Sequence, residues 1–169
     1  GGLLMARLGM AIDLDRCVGC GACVLACKAE WRVADDRQRT RVTPIGPEGT
    51  FPDGLESTFY VGHCSHCERP ACVASCPTGA LAKDVDGRVL IEPALCIGCR
   101  YCVAACPYGA CFIDPRTGRV DKCDLCAARM AAGAPEPACV ETCITEAKVF
   151  GDLDDPESAI SRRLGAGRD

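Results

Sequence analysis

Sixteen thiols stand in four sets of four, and those sets are where this chain could do chemistry. They read Cys17-x2-Cys20-x2-Cys23-x3-Cys27, Cys64-x2-Cys67-x4-Cys72-x3-Cys76, Cys96-x2-Cys99-x2-Cys102-x3-Cys106 and Cys123-x2-Cys126-x12-Cys139-x3-Cys143. The first and third match the bacterial ferredoxin run, whose closely spaced thiolates take three corners of one 4Fe–4S cube. The loop between them must wrap the cluster with its N–H groups turned inward, where they hydrogen-bond the sulfurs. Gly19, Gly21 and Gly98 relieve the backbone where side chains would clash. The fourth Cys of each run is expected at the start of a short helix, pointing toward a second cluster.

Two other chemistries use paired cysteines. A disulfide framework belongs to oxidising compartments and usually to shorter chains, and it gives no reason for four quartets. Zinc takes C-x2-C pairs, normally two separated pairs and not a triplet plus a single. The spacing favours four 4Fe–4S clusters over both. Cys111 stands outside the sets and reads as a small buried hydrophobe. His63 and His66 flank Cys64; with sixteen positions already filled by Cys, they read as hydrogen-bond donors around a cluster or as surface residues. Trp31 reads as a packing cap over a cluster.

The rest of the composition agrees with a metal-held chain. Leu, Ile, Val and Phe number 35 of 169 residues, close to the level of about 20% below which chains lack a packed core. An ordinary aliphatic-core enzyme is excluded as the leading reading. The net charge of −4 argues against nucleic acid, and four thiolate-bound clusters would add roughly −8. Arg outnumbers Lys 15 to 4, which reads as compositional bias. No stretch reaches the ~18 apolar residues of a membrane span. The opening Gly1-Gly2-Leu3-Leu4 reads as an engineered scar or a processed end.

The elements that must position the thiols are short. Gly9–Leu14 and Ser57–Val61 read as strands leading into the first and second sets. Leu81–Ile91, around Asp86-Gly87, reads as a hairpin, and Cys111–Val120, around Thr117-Gly118, as another. Short helices are expected after Cys23, Cys72, Cys102 and Cys139. The chain also repeats itself. Arg16–Cys27 is similar to Leu95–Cys106, and Pro70–Cys76 to Pro137–Cys143, so two copies of a two-cluster unit fit the order. Pro77 and Pro107 follow their fourth Cys as ferredoxin runs do, whereas Lys28 and Ile144 depart from that form. The fold class is α+β: a duplicated bacterial-ferredoxin-like fold of short hairpins and helices around four clusters. It is read as one compact unit, residues 1–169, of two interleaved lobes. One lobe is about 10–31 with 107–150, the other about 57–106; 32–56 is a surface loop and 151–169 a polar tail.

Over about residues 10–164 the chain resembles the four-cluster iron–sulfur subunit of dimethyl sulfoxide reductase-type molybdopterin oxidoreductases. The stretches that carry the likeness are Cys17–Lys28, His63–Pro77, Cys96–Pro107 and Lys122–Cys143. Phe150–Pro156 is similar to the polysulfide-type subgroup, which takes in thiosulfate and tetrathionate reductases. The resemblance implies a nested exchange of fourth ligands, which spacing alone leaves open against a sequential one. One cluster would use Cys17, Cys20, Cys23 and Cys143, and its neighbour Cys27, Cys123, Cys126 and Cys139. The other two would use Cys64, Cys67, Cys72 and Cys106, and Cys76, Cys96, Cys99 and Cys102. It further implies a non-catalytic electron-transfer subunit between a large molybdopterin (or tungstopterin) catalytic subunit and an integral membrane quinone-interacting subunit, peripheral on the cytoplasmic membrane. A free-standing polyferredoxin, and a zinc-binding or redox-sensing module, are the alternatives.

Overall fold

A computed structural model describes residues 6–165. The expectations placed on Gly1–Leu4 and on the last four residues of the tail lie outside that range. In chain order the elements are β1 (Leu8–Ile12), α1 (Ala22–Trp31), β2 (Arg41–Glu48), β3 (Glu56–Gly62), α2 (Ala71–Ala74), β4 (Leu81–Lys83) and β5 (Val89–Ile91). A 3-10 turn (Pro93–Leu95) leads to α3 (Tyr101–Ala105), β6 (Phe112–Ile113), β7 (Val120–Asp121), α4 (Ala127–Ala131), α5 (Ala138–Glu141), β8 (Lys148–Asp152) and α6 (Ala159–Gly165).

Among the described residues the strands form four separate antiparallel pairs. Both expected hairpins are present, as β4–β5 and β6–β7. The strand expected at Gly9–Leu14 is β1, and its partner is β8 from the far end of the chain, with Leu8 opposite Asp152 and Ile12 opposite Lys148. This closure brings the fourth quartet back beside the first. A two-stranded ribbon is marginal in water on its own, and helices of four or five residues lie far below the ~12 needed for independent stability. These elements are held from outside themselves. The buried clusters are correspondingly rich in sulfur: Leu81, Val89 and Val120 pack with Cys102 and Cys111, and Leu125 and Ala110 with Cys64 and Cys123. Among the described residues no helix is long and apolar enough to cross a membrane.

Three local expectations need correction. Residues 32–56 are exposed over most of their length but are not simply a loop, because Arg41–Glu48 pairs with Glu56–Gly62 as a hairpin with a register shift between Ile45 and Glu48. Its Pro and Gly content hid the strand, and β2 sits at an edge where Pro is tolerated. The tail is not loose over 151–165. β8 runs to Asp152, and α6 folds back with Ile160 buried, the Ser158 hydroxyl bonding the Asp152 carbonyl at 2.6 Å and Arg163 reaching Asp13 at 3.2 Å. Finally, the fourth Cys does not start a helix. The third Cys sits in the first turn, and the helix ends at or just before the fourth in three sets, as at Cys106, the C-cap of α3. In the first set α1 runs past Cys27 to Trp31. Starting the helix one ligand earlier keeps the third and fourth thiols on opposite ends of one rigid turn.

Candidate iron–sulfur site

Each quartet begins with C-x2-C, and in all four the residue before the second Cys has a left-handed backbone. Gly19 (φ 67) and Gly98 (φ 70) are legible from sequence; His66 (φ 45) and Leu125 (φ 55) are not, because they carry side chains. The conformation turns successive N–H groups to one side, the concave arrangement that binds anions. Leu125 N–H points at Cys123 Sγ at 3.5 Å. Gly19 is also a place of close approach, since a Cβ there would stand 2.3 Å from the Phe59 ring. Gly98 is its counterpart, since a Cβ there would stand 2.5 Å from the Gly118 carbonyl oxygen.

All 17 thiols are free. One hollow is lined by Cys17, Cys20, Cys23 and Cys143, together with Ile12, Val42, Val61 and Lys148. Another is lined by Cys76, Cys96, Cys99 and Cys102, together with Ile97, Ile113 and Val120. In each, three thiols come from one quartet and the fourth from another. Cys27, Cys123, Cys126 and Cys139 are all buried and stand close enough for their charges to act on one another. In the remaining set the charge of Cys72 acts on Cys64, Cys106 packs against the buried cluster that includes Cys64, and Cys67 lies three residues along the same loop.

The electrostatics of these thiols ask for a cation. Burial, reinforced by Cys139 and Cys126, pushes the Cys27 thiol up to about 12. Burial likewise raises Cys23, Cys64, Cys102, Cys123 and Cys139. Crowded, desolvated thiols resist ionisation by themselves, and bound metal reverses that preference by deprotonating them outright. Cys76 and Cys143 go the other way. Burial raises each, but backbone N–H groups and the hydroxyls of Thr78 and Thr145 outweigh it. Among the described residues no three ligand-type side chains converge tightly enough for a single ion. Four soft thiols around a wider hollow, with amides turned inward, fit a multi-iron cluster.

Several groups around the sets escape a reading of the sequence. Trp31 is more than a cap: its Nε1–H donates to Cys126 Sγ at 3.3 Å, while the Arg39 guanidinium sits 4.6 Å above its ring. Arg39 is itself held by Asp121 (2.6 Å) and Asp124 (3.2 Å). His66 accepts from the Val89 N–H at 2.8 Å through Nδ1, which places its proton on the buried Nε2. Burial, with Lys122 nearby, lowers its imidazole to about 3. Burial and Lys148 lower His63 to about 4. Both are therefore neutral imidazoles with an enclosed Nε2, and not surface residues. Cys111 is buried in the β4–β7 core, where Cys72 also packs. Two lysines are buried outright, Lys122 and Lys148.

Comparison with known proteins agrees with this geometry. Residues 55–153 match a family described as a 4Fe-4S dicluster domain, and residues 16–80 match a second family of the same description. The chain is 45% identical over 159 residues to Protein NrfC of Escherichia coli strain K12, covering 94% of this chain and 71% of the relative. It is 42% identical over 161 residues to a subunit of the polysulfide reductase of Wolinella succinogenes, covering 95% and 84%. Over 156 residues it is 43% identical to the thiosulfate reductase electron transfer subunit PhsB of Salmonella typhi, covering 92% and 80%.

Proposed function

The chain belongs to the 4Fe-4S dicluster family of iron–sulfur subunits that includes those of polysulfide, thiosulfate, tetrathionate and dimethyl sulfoxide reductases, and on that premise we propose that it holds four 4Fe–4S clusters as the non-catalytic electron carrier of a respiratory oxidoreductase. The ligand sets are Cys17, Cys20, Cys23 and Cys143; Cys27, Cys123, Cys126 and Cys139; Cys64, Cys67, Cys72 and Cys106; and Cys76, Cys96, Cys99 and Cys102. A bound 4Fe–4S cluster supplies reversible one-electron chemistry.

One observation supports this reading: contacts join the sets one to the next, and each of the two outer sets has an exposed thiol while the two between have none. α1 carries Cys23 and Cys27 and so ties the first two sets together. α2 and α3, which pack on each other, tie the last two. Cys64 and Cys123 share one buried cluster and join the halves. Cys20 and Cys99, in the two outer sets, are exposed, whereas every thiol of the set containing Cys27 is buried. Residues at the ends thus leave a donor and an acceptor close access, and residues around the Cys27 set exclude water. The two halves form the interleaved lobes of a duplicated ferredoxin-like unit.

The partners proposed are a large molybdopterin or tungstopterin catalytic subunit at one end and an integral membrane quinone-interacting subunit at the other, with this chain peripheral on the cytoplasmic membrane. The test is a metal inventory of the complex isolated anaerobically through this chain. About 16 iron per chain, with molybdenum or tungsten on a large second chain, is the expected result. Iron on a chain that runs alone makes it a free polyferredoxin, and a colourless zinc-loaded chain overturns the cluster reading itself.

A further inference from the structure

A buried ammonium needs an anion, because taking an isolated charge out of water is costly unless it is paired. Lys148 is 3% exposed. Among the described residues its Nζ has one hydrogen-bond partner, the neutral Thr40 hydroxyl at 3.0 Å. No carboxylate among the described residues lies within salt-bridge distance of it. Glu136, Glu141 and Glu146 line an open groove that Lys148 also borders, but none pairs with it, and on its other side lies sulfur. It lines the hollow of Cys17, Cys20, Cys23 and Cys143, and its strand, β8, directly follows the turn after Cys143. Its charge also bears on Cys27 and Cys139 of the neighbouring set. Lys122 repeats the pattern in the other half. It is 1% exposed, also without a carboxylate, donates to the carbonyls of Val89 and Cys123, and faces the Cys64 and Cys72 thiols. Arg39, the enclosed arginine beside the Cys27 set, is by contrast already paired with two acids.

We propose that Lys148 is a built-in counter-charge shared by the clusters of the Cys17 and Cys27 sets, and that Lys122 is the corresponding counter-charge for the Cys64 set. This rests on the ligand sets assigned above. Each added electron makes a cluster one unit more negative, so a fixed cation beside it favours the reduced form. Lys148 lies between two sets and therefore biases two potentials at once.

The experiment is a potentiometric titration of the holoprotein followed by paramagnetic resonance, with signals assigned through single Cys→Ser variants. Lys148→Met should keep its iron and make reduction of the Cys17-set and Cys27-set clusters at least tenfold less favourable, a shift of 59 mV downward for a one-electron couple. The outer cluster of the Cys96 set should stay where it was. Lys122→Met should move the Cys64-set cluster most. Lys148→Met with full iron and four unmoved potentials, or with all four moved equally, overturns the proposal. If Lys148→Met loses iron, Lys148→Arg decides. Iron retained at near-native potentials supports the counter-charge, and iron lost equally assigns the residue to packing and overturns it. A native chain that binds no iron would fail the underlying cluster reading and leave the lysines aside.

Discussion

At the scale of single residues the site is governed by backbone handedness and by donors to sulfur. Gly19 combines a left-handed φ with a Phe59 ring where a Cβ would go. Gly19→Ala should cost about 1–2 kcal/mol for the backbone alone, plus the displacement of Phe59. We expect it to lose the cluster of the Cys17 set, about four of sixteen iron atoms. Gly133→Ala, also left-handed but facing open space, should carry only the backbone penalty and keep its iron. An iron count on both proteins checks this, and equal losses would remove the steric argument. Trp31→Phe keeps the ring and deletes the N–H to Cys126. Loss of one hydrogen bond, about 1 kcal/mol, should lower that cluster's midpoint potential by roughly 40 mV without loss of iron. What sequence shows at this scale is the thiols themselves and the glycines. It does not show His66 and Leu125 as left-handed, since their side chains disguise the conformation, nor Trp31 as a donor, since its partner lies 95 residues away. Four lysines among fifteen arginines are a usable signal for the two buried ammonium groups, one that compositional bias masks.

At the scale of elements, the hairpins with Asp-Gly and Thr-Gly turns are legible because turn chemistry is local. The β1–β8 pair is not, because its register is fixed by partners from opposite ends of the chain. The same closure explains why α6 is ordered. Ile160 packs against the β1–β8 pair, where Gly151 leaves room for it, and Leu153 fills the space above Gly9. Ile160→Ala should cost about 2–5 kcal/mol, as for other fully buried aliphatic truncations. Thermal unfolding of the anaerobic holoprotein measures it, and a change below about 0.5 kcal/mol, typical of surface positions, would return α6 to the status of a loose tail. Removing iron should do far more. Helices of four and five residues and two-stranded ribbons have no independent stability, so binding energy is folding energy here. Chelation under reducing conditions should abolish the far-ultraviolet circular dichroism of the helices in step with the loss of visible absorbance. A chain that kept its helicity without iron would show that the sulfur-rich core packs by itself.

Across the whole molecule the burial of thiols is graded. Each outer set has one exposed member, Cys20 or Cys99, in a loop that also presents an exposed apolar side chain, Val18 or Ile97. The set of Cys27, Cys123, Cys126 and Cys139 has none. Oxidants reach thiolates in proportion to their exposure, so this gradient has a kinetic consequence. When the isolated chain is exposed to air, the clusters of the Cys17 and Cys96 sets should decay first and that of the Cys27 set last. Paramagnetic resonance of dithionite-reduced samples withdrawn over time resolves the order. Simultaneous loss of all four would mean that oxidation proceeds through global opening and not through the exposed ends. If the two outer clusters survive longer in the intact complex than in the isolated chain while the Cys27-set cluster is unchanged, the open ends are where partner chains sit. The exposure that costs stability in the isolated chain is then the access that a carrier needs at both of its ends.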